Sequence, residues 1–189
     1  MVSSRPESRV AAEARLQDAL HRDPMNVIRY NDLANHLLAG GQTGQAIALY
    51  RTAISIAADH AALHFNLANA LAEAGADAAA LEAHGAALRC DPGFAAAYTN
   101  SGNLLRRLGR AQDALEAYRR ALYLAPLEGS ARYNLGTALL DLGRPAEALP
   151  FFEQAATLRP PYPPALASAG EALLRLGRRD AAQGGSRRR

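Results

Sequence analysis

Apolar side chains return along this chain at intervals of three and four residues, the spacing of one face of a helix. The faces come in pairs. Ala68 and Leu71 mark a first helix and Ala80 a second, and 34 residues further on Gly102, Leu105 and Ala114 hold the same places. The polar positions keep the same beat: Asn66-Leu67-Ala68-Asn69 becomes Asn100-Ser101-Gly102-Asn103, and Asp91-Pro92 becomes Ala125-Pro126. A fixed period of this kind marks an array of stacked two-helix units, each of which buries its apolar face only against its neighbours. Four units result, 27–60, 61–94, 95–128 and 129–162, each with a first helix of about 13 residues, a glycine turn and a second helix of about 14.

The turn glycines are Gly41, Gly75, Gly109 and Gly143, with Gly177 continuing the series. Each is expected to end a first helix in the left-handed conformation that a Cβ disfavours. Pro92, Pro126 and Pro160 close the second helices, while Ala58 holds that place in 27–60 and specifies the junction less sharply. Small residues on the first helices (Ala34, Ala68, Gly102, Gly136) and on the second (Ala46, Ala80, Ala114, Ala148) let paired backbones approach closely. Leu37, Leu71, Leu105 and Leu139, with Tyr50, Tyr118 and Phe152, then fill the space between units. Pro150 falls inside a second helix and predicts a local kink.

Both ends carry half units. Ser4 and Glu7 are spaced as a capping box with Pro6 in the first turn, and Val10, Ala12, Leu16, Ala19 and Leu20 give the following helix an apolar face that stops near Arg22. Ala12 stands in the place of Ala46 and Leu16 in the place of Tyr50, so 1–26 reads as a second helix without its first. At the other end, 163–180 supplies a first helix, in which Ala165, Leu166, Ala169, Leu173 and Leu176 pack backwards. Ser168, Glu171, Arg175 and Arg178 give it a polar outer face, and 181–189 has the composition of a disordered tail.

The run Asn134-Leu135-Gly136, with Leu139, Leu142-Gly143, Ala148, Phe152, Ala155 and Pro160, resembles a tetratricopeptide repeat, and the other units fit almost as well. The resemblance covers nearly the whole chain. It implies an all-α fold, a right-handed α-solenoid of antiparallel helix pairs whose first helices line a concave groove that binds protein or peptide partners. Departures from the family pattern are Ser101 where leucine is usual, and His64 and Arg132 where a large apolar residue is usual.

Candidate chemistry follows the first helices. Asn66 and Asn69 are three apart and share a face, Asn100 and Asn103 repeat the pair, and Asn134 continues it, with Asp32 and Ser168 interrupting at either end. A carboxamide donates and accepts, so it can pair with the backbone of an extended peptide whatever that peptide's side chains. The ladder Asn66, Asn100, Asn134 resembles the one in the superhelix of O-linked N-acetylglucosamine transferases, and in the family such asparagines commonly contact bound peptides. The same amides also fit a plainer role, satisfying hydrogen bonds within the stack. Six backbone hydrogen bonds at ~1 kcal/mol each would give ~6 kcal/mol before the peptide's ordering cost. Useful affinity therefore needs side-chain pockets, for which Phe65, Tyr98 and Tyr133 are candidates with Arg107 beside them, or a multivalent partner.

Composition narrows the remaining classes. All 21 basic residues are arginine, and a net charge of +3 against 18 interspersed acids is a mild excess. The proposed face alternates in sign through Asp32, Glu73, Arg107, Asp141, Glu171 and Arg175, which argues against nucleic acid, whose groove demands one sign. The single cysteine, Cys90, excludes an intramolecular disulfide framework and reads as a small apolar side chain. His60, His64, His84 and Cys90 invite a metal reading, but His64 and His84 stand where other units carry Tyr98 and Tyr118, so they read as packing residues and no metal or cofactor is expected. No nucleophile–base pair, phosphate loop or paired carboxylate is present, nor an apolar run of membrane-spanning length or a signal-peptide centre, so a cytoplasmic, non-enzymatic scaffold is expected. The alternatives are the recruiting arm of a longer enzyme, such as a glycosyltransferase, and a self-assembling protein that associates through Leu166 or Leu174 on an end helix.

Overall fold

The computed structural model describes residues 8–158 and 162–186, the side chains of 178–186 excepted. Among the described residues there are ten helices and no strand: α1 (Arg9–Arg22), α2 (Val27–Leu38), α3 (Thr43–Ile56), α4 (Ala61–Glu73), α5 (Asp77–Cys90), α6 (Ala95–Arg107), α7 (Ala111–Leu124), α8 (Gly129–Asp141), α9 (Pro145–Thr157) and α10 (Pro164–Ser186). They gather into two compact units, Met1–Pro92 with α1 to α5 and Gly93–Arg189 with α6 to α10. Within each unit a first helix packs on its own second helix, as α4 does on α5 and α6 on α7, and the second helix packs on the next first helix, as α3 does on α4 and α7 on α8. This is the all-α solenoid of helix pairs.

The turns that join each pair are built alike. Gly41, Gly75, Gly109 and Gly143 have φ of 74°, 77°, 73° and 68°. The N–H of the following residue (Gln42, Ala76, Arg110, Arg144) donates back to the carbonyl of Leu37, Leu71, Leu105 or Leu139 at 2.8–2.9 Å. This is the hydrogen-bond pattern in which a left-handed glycine closes a helix and satisfies its last carbonyls. The same four leucines are 2–7% exposed, so one residue per unit both fills the core and anchors the turn.

Close approach is visible atom by atom. A Cβ added to Gly102 would stand 2.5 Å from Tyr118 Cε1, and one added to Gly136 would stand 2.8 Å from Phe152 Cε1. Tyr50, Tyr118 and Phe152 are fully buried, as are Ala46, Ala114 and Ala148 on the same second helices and Ala80 on α5. Ser101, in place of leucine, is 6% exposed and donates to the Ala97 carbonyl at 2.7 Å, which settles its hydroxyl within its own helix. His64 and Arg132 hold equivalent places and make equivalent bonds, to the carbonyls of Ala58 and Pro126 six residues upstream.

The ends differ from expectation. Ser4, Glu7 and Pro160 lie outside the described residues; α1 opens at Arg9 with Ser8 as its cap, accepting from the Ala11 N–H at 3.3 Å. Ala12, Leu16, Ala19 and Leu20 are half-buried but Val10 is 78% exposed, so the apolar face of α1 is shorter than its sequence suggests. α10 runs through Gly177 to Ser186, covering 181–186, where a tail was expected. After Ala182 the chain has no large apolar residue. A turn at Gly177 would therefore lead into a second helix with little to bury, whereas continuing keeps the backbone hydrogen-bonded for about 1 kcal/mol of glycine cost. Leu166 and Leu173 do not pack backwards: Ala165, Ala169 and Ala172 are buried instead, and the two leucines are 70% and 54% exposed. α9 continues through Pro150, whose exposed position lets water take the carbonyl left without a donor. Among the described residues no helix is long and apolar enough to cross a membrane.

Leu139→Ala removes a side chain 2% exposed and is expected to lower unfolding free energy by about 2–5 kcal/mol, whereas Leu127→Ala, at an 80% exposed site, is expected to change it by less than about 0.5 kcal/mol. Chemical denaturation of the two variants beside the parent chain measures both.

Candidate functional site

The packing that buries the rings also holds the first-helix amides. In the second unit the Tyr118 hydroxyl donates to Asn103 Oδ1 at 2.8 Å, and Asn134 Nδ2 donates to the same oxygen at 2.9 Å. A buried phenol on α7 thereby fixes an amide on α6, which in turn fixes one on α8. In the first unit the Tyr50 hydroxyl donates to Asn35 Oδ1 at 2.6 Å, and Asn66 Nδ2 donates to Asn31 Oδ1 at 2.7 Å. Burial pushes both phenols up to about 12, so each remains a protonated donor at ordinary pH.

Asn66, Asn69, Asn100, Asn103 and Asn134 are all half-buried, the first two in one unit and the other three in the second. The structure brings Asn103 and Asn134 together; it pairs Asn66 with Asn31 on α2, one position before Asp32, where the ladder was expected to break. Phe65 lies against His84 with ring centroids 5.4 Å apart, and Tyr133 lies against Phe152 at 5.6 Å and Tyr162 at 5.0 Å, so both aromatics brace a helix pair as well as edging the first-helix face. Ser168 Oγ reaches the Tyr133 hydroxyl at 3.3 Å. Arg107 is exposed at the end of α6.

Beside the amides each unit carries a small hollow. In the second unit it has a volume of about 140 Å³ and is lined by Ala95, Ala96, Thr99, Asn100, Glu128 and Ser130. In the first it is about 70 Å³, lined by Val27, Ile28, Asn31, His60, Ala62 and Leu63. Shifting one set by two repeats superposes Val27 on Ala95, Ile28 on Ala96, Asn31 on Thr99, His60 on Glu128 and Ala62 on Ser130. Sequence reasoning missed Asn31 and Thr99, although Ser130 lies on the stripe that continues from Asn134; the signal for the missed pair was their recurrence at the two-repeat spacing, hidden because the residue type changes. Hollows of this size take a small side chain. Glu128 caps α8, accepting from the Ser130 N–H and hydroxyl, and places a carboxylate at the rim.

The histidine and cysteine positions resolve differently. His84 is 1% exposed, and neither ring nitrogen has a hydrogen-bond partner. Cys90 is half-buried rather than enclosed, its Sγ 3.9 Å from the Ala58 carbonyl that also accepts from His64. Among the described residues no three His, Cys, Asp or Glu side chains are grouped to hold a metal ion.

An array of glycine-turned helix pairs, small residue against ring, defines an α-helical tandem-repeat protein. The chain belongs to the tetratricopeptide repeat family: models described as tetratricopeptide repeat match residues 99–163 and 163–184, and one described as TPR repeat matches 34–75. Solved structures agree on the fold. A MamA crystal structure superposes with a TM-score of 0.73 at 22% identity, over 86% of this chain and 90% of that one. YrrB, described as a TPR protein with an unusual peptide-binding site, gives 0.71 at 24% identity, over 83% and 81%. A tetratricopeptide repeat protein from Parabacteroides merdae gives 0.78 at 20% identity, over 93% and 70%. No curated protein sequence matches the chain.

Burial pushes His84 down to about 4 from its ordinary 6.5, so its neutral ring contributes stability that is whole above about pH 6.5 and is lost as pH falls through about 4. His84→Tyr places at this position the phenol that Tyr50 and Tyr118 supply elsewhere. Thermal melts from pH 7 to 4 are expected to show the parent losing up to about 3 kcal/mol more than the variant, and equal losses would contradict the assignment.

Proposed function

We propose that the protein is an interaction scaffold whose first-helix faces grip an extended segment of a partner protein, and that it carries out no catalysis of its own. The observation that carries this reading is the recurrence, two repeats apart, of a hollow bordered by amide side chains. A repeating hollow suits a repeating ligand, and an extended backbone is the repeating part of any peptide. Asn134 uses one of its two N–H donors on Asn103. Its remaining capacity, with that of Asn66, supplies donors and acceptors of the kind a peptide backbone needs. Because the phenol and neighbouring amides already hold Asn103 and Asn134, little side-chain entropy is lost when a ligand arrives.

The charge pattern supports a protein partner. Arg106 pairs with Asp141 at 2.8 Å, Arg110 with Asp113 at 2.6 Å, Arg119 with Glu116 at 2.7 Å and Arg175 with Glu171 at 2.6 Å. These four arginines of the second unit are thus interleaved with acids, which argues against a basic track for phosphates among the described residues. The peptide-binding site named for YrrB is a precedent within the same fold.

Peptides selected on the intact chain from a random unstructured library supply the probe. Calorimetry of Asn100→Ala and Asn134→Ala is expected to show binding weakened by ~1–3 kcal/mol with helicity retained. Ala96→Trp, which fills the hollow from an exposed position, is expected to weaken binding likewise. Undiminished affinity in all three would discard the reading.

A further inference from the structure

In complete pairs, the small residue of the first helix faces the ring of the second, Gly102 against Tyr118 and Gly136 against Phe152. Among the described residues, two helices carry one half of this arrangement without the other. α10 has the first-helix set, with Gly170 in the place of Gly102 and Gly136 and Leu173 in the place of Leu105 and Leu139. A Cβ on Gly170 would meet nothing within 4 Å, and Leu173 is 54% exposed where its equivalents Leu105 and Leu139 are 7% and 2%. Leu166, on the same face, is 70% exposed. α1 has the second-helix set. Ala12, Leu16 and Ala19 hold the places of Ala46, Tyr50 and Ala53, which are 0% exposed, yet in α1 all three are only half-buried.

We propose that α1 of a second copy docks antiparallel on α10 and completes a repeat from two half-repeats. By the pairing of Gly102 with Tyr118 and Gly136 with Phe152, the second copy's Leu16 lies over Gly170, and antiparallel helical spacing then sets its Ala12 towards Leu173 and its Ala19 towards Leu166. The occupant is identified by complementarity: the bare face of α10 is shaped for a second helix with a small–large–small series, and α1 presents that series with the same side exposed. A single apolar face would fit many partners, but two halves of one motif on one chain fit each other. The contact joins unlike surfaces, so each association leaves one α1 and one α10 uncovered and growth continues as an open chain.

Sedimentation velocity of the full chain from micromolar to millimolar concentration tests this. The weight-average mass is expected to rise past that of two chains. Gly170→Glu, whose Cβ meets nothing within 4 Å at an exposed position, is expected to sediment as one chain with an unchanged melting temperature. Ala12→Glu is expected to do the same from the α1 side. Mixed, the two variants should form a dimer and stop there, because each supplies the one intact face the other lacks. A parent chain that stays monomeric throughout, a mass fixed at two chains, assembly indifferent to Gly170→Glu, or failure of the mixed variants to pair would each overturn the proposal.

Discussion

The structure depends on how closely two helices can be brought together. Where Gly102 meets Tyr118 and Gly136 meets Phe152, the second-helix ring occupies the volume a Cβ would need. The ring is wide enough to span to the first helix and is sealed there by alanines that are 0% exposed. Dispersion and burial of this contact hold each pair, and the left-handed glycine that follows the first helix lets the chain return at the distance the contact requires. The second helices α3, α7 and α9 each pack on the next first helix as well as on their own, so the fold propagates by neighbours.

The same contact determines what faces outward. A tyrosine long enough to fill the space beneath Ala34 or Gly102 carries its hydroxyl to the amide on the far side, Asn35 or Asn103. Packing and surface chemistry are therefore one arrangement: the phenol that seals the core also orients the first-helix amide it reaches. Where the second-helix residue cannot extend that far, the coupling changes. Phe152 has no hydroxyl, and Thr137, in the place of Asn103, turns its own to the Tyr133 carbonyl at 3.1 Å. His84 is shorter than tyrosine and is left with two unpartnered nitrogens in the first unit. Buried polar atoms without partners are costly, so His84 is the position where this stack departs furthest from its own rule.

The helix pairs, their boundaries and their core were legible because each unit repeats the same constraints; four glycines, four leucines and the small positions announce themselves by period. The amide face was legible as far as the first helices, since Asn66, Asn100 and Asn134 keep residue type as well as place. The bond from Asn66 to Asn31 was hidden because it does not repeat the bond from Asn134 to Asn103, whose counterpart two repeats earlier is Asn35, but reaches one turn earlier on α2. The hollows were hidden for a different reason: they are defined by absent volume, and Ala96 or Ser130 carries no chemical mark of lining one. At the ends, periodicity misled. Gly177 keeps the glycine place, but without an apolar second helix to follow there is nothing to make the chain turn, and α10 runs on.

Nuclear magnetic resonance of the asparagine side-chain N–H₂ groups, recorded while a selected peptide is added to the intact chain, reaches the central claim directly. The signals of Asn100 and Asn134 are expected to move in proportion to occupancy while amide signals on the exposed outer faces of α7 and α9 stay still. Movement confined to those outer faces, with the asparagine signals unchanged at saturation, would contradict it.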